Sequence, residues 1–65
     1  MPEVEIFDKN EKIIMKIELP FVPASGEFIS IEREDYFKYY RVTERWIRIE
    51  ELNKSVACVE VELKD

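Results

Sequence analysis

Phe37, Tyr39, Arg41, Thr43 and Arg45 occupy alternate positions in the middle of a 65-residue chain. On an extended strand, alternate residues share one face. Aromatic rings interleaved with guanidinium groups can stack nucleic-acid bases and hold phosphates. Phe37, Tyr39, Arg41 and Arg45 are therefore one candidate binding face. The competing expectation is structural: the rings cover the end of a core, and the arginines pair with acidic neighbours such as Glu60 and Glu62. A second candidate gathers Phe21, Val22 and Pro23 with Tyr36 and Trp46. Aromatic side chains beside a proline-bearing loop form the kind of shallow groove that takes up an extended peptide. Here the structural alternative is a loop that folds back to plug one end of the core.

The rest of the inventory argues against catalysis. The chain has no histidine, one cysteine and one glycine. The commonest general base and triad partner is thus missing, thiolate–imidazole zinc sites cannot be assembled, and glycine-rich phosphate loops are excluded. Cys58 lies inside a strand pattern with no base beside it in sequence and reads as a packing residue. Glu60 and Glu62 share a strand face about 7 Å apart, and Glu32, Glu34 and Asp35 cluster at a turn. Both groups read as solvated charge that keeps strand edges from pairing with other chains. The Glu32–Asp35 cluster lacks the pattern of a calcium loop. No catalytic, metal-binding or cofactor-binding residue is assigned.

Composition sets the frame. A net charge of −5 with 38% charged and 46% hydrophobic residues, eight of them aromatic, fits one small folded domain spanning residues 1–65. The charge is uneven. From Arg33 to Arg48 five basic residues face three acidic ones, a local net of +2 that leaves −7 on the remainder. Overall acidity disfavours nonspecific binding to nucleic acid. A lone cysteine favours a reducing compartment. Residues 1–20 carry charges throughout, unlike a secretory signal, and no run reaches membrane-spanning length. The expected location is cytoplasmic, with no membrane association.

The elements that must position these residues follow from alternation. Val4 and Ile6 mark a strand near residues 3–7. Asp8-Lys9-Asn10 makes a turn, with Asn10 suited to a left-handed conformation. Ile13, Met15, Ile17 and Leu19 mark an antiparallel partner near 11–19, broken only by Ile14. Pro20 ends the ladder, and Pro23 with Gly26 shapes the following turn. Residues 27–32 form a third strand. Residues 36–49 read as a long fourth strand because nine of fourteen are aromatic or β-branched. Its phase breaks near Glu44-Arg45, where a β-bulge or sharp bend would restore it. A helix over about 34–49 is the alternative. A turn over 50–54 leads to a last strand near 55–63. The predicted fold is all-β: a hairpin, a corner and a three-strand meander, bent into a five-stranded antiparallel, partly open barrel of the SH3-like kind. Its predicted core is Val4, Ile6, Met15, Ile17, Leu19, Ile29, Ile31, Tyr40, Val42, Ile47, Val59 and Val61.

Pro23…Gly26-Glu27-Phe28-Ile29, then Tyr40-Arg41-Val42-Thr43…Trp46, then the alternating C-terminal strand, resembles a group of small uncharacterised bacterial and phage-type proteins with an SH3-like barrel. The resemblance covers about residues 17–63 and implies a fold and no activity. The expected function is a non-catalytic binding module that contacts another protein or a second copy of itself, as in a homodimer. The alternative is a nucleic-acid-binding barrel using the aromatic and arginine row.

Overall fold

A computed structural model describes residues 2–64. Five strands form one sheet: β1 (Glu3–Phe7), β2 (Ile13–Glu18), β3 (Phe28–Arg33), β4 (Tyr36–Glu51) and β5 (Lys54–Lys64). The spatial order is β2-β1-β5-β4-β3, and the sheet curls strongly into a half-barrel. β1–β2, β3–β4 and β4–β5 are antiparallel, whereas β1 and β5 run parallel with Val4 opposite Ala57 and Ile6 opposite Val59. The sheet is therefore mixed where an antiparallel one was expected. The helix considered over 34–49 is absent, because that segment is β4 from end to end.

The core lies on the concave face, where Val4, Ile6, Ile31, Tyr40, Val42, Ala57, Val59 and Val61 are buried. Ile14, Met15, Leu19, Val22 and Ile29 pack against them. Ile17 and Ile47, both expected inside, are exposed. Ile17 stands on edge strand β2 beside an open groove. Ile47 lies on β4 beyond the reach of β3, opposite the small Ala57.

Bulges set which side chain faces which way. Ile6 pairs with Met15 but Phe7 pairs with Ile13, so Ile14 is the extra residue. Its insertion turns Ile13 to the convex face beside Phe7, which explains the one break in the alternation. Val42 pairs with Val61 but Glu44 pairs with Glu60, so Thr43 is the extra residue of β4. At the corner, the Glu27 N–H donates to the Ala24 carbonyl at 3.0 Å, with Gly26 at φ 95° in the third position of the turn. The Gly26 N–H donates to the Val42 carbonyl and the Val42 N–H to the Glu27 carbonyl, each at 2.8 Å. This is a glycine bulge, which needs positive φ at its first residue. The β1–β2 turn is held by the Asp8 carboxylate, which accepts from the N–H groups of Asn10 and Lys12. Positive φ falls on Glu11 (64°), one residue later than the Asn10 expected for it.

Candidate functional site

The bulge at Thr43 decides the fate of the aromatic and arginine row. Before it, Phe37, Tyr39 and Arg41 lie on the convex face, opposite Glu32, Ser30 and Phe28 respectively. After it, Arg45 pairs with the core residue Val59 and so faces the concave side. There its guanidinium donates to the Val22 carbonyl at 3.3 Å. Arg45 is thus separated from the other three by the thickness of the sheet. What the convex face does assemble is Phe28, Phe37, Tyr39 and Arg41. The Phe28 and Tyr39 rings are stacked, 5.2 Å between centroids and 1° from parallel. Phe28 belongs to this patch although alternation in β4 alone did not include it, since only the β3–β4 register brings it there.

Arg41 lies 3.9 Å from the Glu62 carboxylate, which also meets Lys9 at 3.1 Å and Lys64 at 3.6 Å. The Lys9 ammonium, followed by the charges of Lys64 and Arg41, holds the Glu62 carboxyl below its usual range. One carboxylate shared by three cations leaves this part of the convex face with a net positive charge beside the stacked rings.

The loop set does not converge either. Phe21 is exposed and lines a groove, Pro23 is buried at the groove's end, and Val22 packs on the core. The loop therefore plugs the half-barrel with Val22 and Pro23 and leaves Phe21 in solvent. Tyr36 sits at the far end of β4, with the Arg33 and Lys38 cations about 6 Å from its ring centroid (6.0 and 5.9 Å). Its hydroxyl, together with burial, pushes the Tyr40 phenol up to about 12. Trp46 lies on the convex face against Phe7, with centroids 5.7 Å apart.

A wide groove lies where Phe21 borders the concave face. It occupies about 970 Å³ between the edge strands β2 and β3, floored by Ile6, Met15, Ile29 and Ile31 and rimmed by Ile17, Phe21 and Phe28. Glu27, Glu32 and Arg33 are the charged residues on its wall. Neither β2 nor β3 has a strand on its outer side. The groove is the gap left where the barrel does not close. Reading strands one at a time could not show it, because it arises from the sheet order.

The convex face holds one buried ionic cluster. Glu5 is 3% exposed and accepts a two-pronged pair of hydrogen bonds from the Arg48 guanidinium, at 2.8 and 2.9 Å. Lys16 stands 3.7 Å away, and Arg48 also reaches Glu50 at 2.9 Å. Cys58 lies beneath, fully buried, and burial pushes its thiol up. Among the described residues no group of carboxylates and thiols is arranged to hold a metal ion.

Compared with known protein families, curated proteins and solved structures, the chain matches none.

Proposed function

We propose that this chain is a non-catalytic binding module acting through protein contacts, with the groove between β2 and β3 as its contact site. One observation carries the reading: an apolar groove flanked by two unpaired strand edges. Apolar floors with free backbone donors and acceptors beside them are what strand-addition binding uses. Ile17, Phe21 and Phe28, each at least 40% exposed, line this one groove, and contiguous exposed apolar patches mark contact sites. The lack of histidine in the sequence supports a role without acid–base catalysis. The half-barrel is compatible with the SH3-like kinship to bacterial and phage-type proteins, and we place the chain in the cytoplasm on its single cysteine and acidic composition.

The nucleic-acid reading is weaker, since Arg45 faces the opposite side of the sheet from Phe37, Tyr39 and Arg41 and the row is split. A photo-reactive phenylalanine analogue at Phe21, compared with the same group at Glu34, tests the groove directly in cells expressing the chain. Adducts of discrete mass from position 21, absent from position 34 and lost when Ile17 becomes Asp, are expected. No adduct at position 21, or equal labelling at both, overturns the groove as the contact site.

A further inference from the structure

Resting on the groove reading, we propose that the partner in the groove is a second copy of this chain, joined by antiparallel pairing of β3 with β3 about a two-fold axis at Ser30. Two observations converge on that register, a third on β3 as the joining edge and a fourth on association.

The first is hydrogen-bond parity. Val42 bonds to the Glu27 carbonyl, and the β3–β4 ladder runs on from there without a shift. Backbone groups of an antiparallel strand alternate between its two sides. Ile29, Ile31 and Arg33 therefore bond to β4, while the peptide groups of Phe28, Ser30 and Glu32 point to the open edge. Centring the pair on Ser30 sets Phe28 against Glu32 of the second copy and Ser30 against its own mate, so every outward group meets an outward group.

The second is side-chain complementarity. The same register sets Ile29 against Ile31 and Glu27 against Arg33, each twice by symmetry. All four residues line the groove. Apolar pairs and opposite charges placed directly across a ladder are its stabilising units. Moving the axis to Ile31 would place Ile29 against Arg33 and leave Glu27 without a cation.

The third is the contrast between the two edges. β2 is bulged at Ile14 and carries Lys16 within it, with Lys12 just before, the devices that keep an edge from pairing. β3 has no bulge, proline or lysine.

The fourth is area. The chain exposes 4958 Å², against about 4400 Å² expected for a monomer of this mass. The excess of about 560 Å² is some two thirds of the ~800 Å² per partner of a standard interface.

Sedimentation of the whole chain over rising concentration should move from one chain mass to two. Glu27→Arg alone and Arg33→Glu alone should each weaken the dimer about tenfold by setting like charges opposite, and the double variant should restore it. Ser30→Pro should give a monomer that stays folded by circular dichroism, because the lost N–H belongs to the open edge. Ser30→Cys should form an intermolecular disulfide under mild oxidation, and Ser55→Cys on the exposed hairpin should not. A single chain mass at millimolar concentration, or a dimer indifferent to all these variants, overturns the proposal. If the chain is monomeric yet the probe at Phe21 still labels another protein, the groove reading survives and the second copy does not. If both experiments are empty, both readings fall.

Discussion

Glu5 is the one charged residue that the described chain buries, and Arg48 is what makes this possible. The paired guanidinium, outweighing burial, holds the Glu5 carboxyl below its usual range. A carboxyl lowered on folding contributes stability that is complete above the ordinary carboxylate range and is lost as pH falls through the lower, folded value. The urea midpoint should therefore hold steady from pH 7 to about 5 and fall below pH 4. Arg48→Ala should destabilise the fold by about 2–4 kcal/mol, since it leaves a buried carboxylate with only Lys16 nearby. Comparing urea midpoints of the two proteins checks both statements. Cys58 provides a second readout. Its thiol is covered and raised by burial, so reaction with a disulfide reagent should be slow in the native protein and should accelerate with urea in step with unfolding. Loss of protection well before global unfolding would show that the convex cluster opens on its own. Neither role was legible in the sequence: Glu5 reads as one of two alternate glutamates beside Val4, and Arg48 as one of five basic residues in a segment. Their meeting depends on the β1–β5 and β4–β5 registers together.

At the scale of elements, alternation located all five strands to within about two residues, and the proline–glycine corner was read correctly. Alternation reports which residues share a face only as long as the phase is unbroken. One extra residue, Thr43, reverses every side chain after it. That is why Arg45 parts from Arg41, and why Trp46 lies on the convex face while Ile47 and Ile49 lie on the concave side. The break was visible as adjacent Trp46 and Ile47, but placing it near Glu44-Arg45 rather than at Thr43 assigned Arg45 to the wrong face. The Thr43 hydroxyl donates to the Glu60 carbonyl, and a Glu60 carboxylate oxygen lies at the same 3.1 Å. The corner gives a cleaner test. At Gly26 a β-carbon would meet nothing within 4 Å, so Gly26→Ala tests backbone conformation alone. It should cost about 1–2 kcal/mol, and Gly26→Asn less, measured as a shift in the unfolding midpoint. The β4–β5 hairpin also divides by support. Residues 57–60 of β5 have neighbours on both sides, while residues 48–56 have only each other. Amide exchange should be slowest at Cys58 and Val59 and fastest at residues 49–54, with a ratio of about two to four orders of magnitude, the ceiling that a global stability of ~3–5 kcal/mol sets.

The whole molecule is built with little to spare. Its extents of 40 × 22 × 19 Å and radius of gyration of 12.0 Å exceed the ~10.7 Å expected for a compact chain of this length. Only a few side chains are fully buried, Ile6 being the largest. A core of this size supplies roughly 3–5 kcal/mol, and truncating a buried isoleucine costs about 2–5 kcal/mol. Ile6→Ala should therefore leave the isolated chain largely unfolded at 25 °C, as seen by loss of amide dispersion, whereas Ile49→Ala on the exposed hairpin should change the midpoint little. Association through β3 would raise the stability of the assembled form with concentration.

β5 is the last strand in the sequence and the middle strand of the sheet. A nascent chain that has emerged only as far as Glu51 holds two hairpins, β1–β2 and β3–β4, with nothing between them. Each has an edge awaiting the same missing strand. The sheet can therefore be completed only in one late step, and its β1–β5 contacts span about fifty residues. Such distant pairings make folding slow. For that interval the chain carries its most adhesive edges uncovered, so the order of synthesis, as much as the finished surface, exposes it to neighbours.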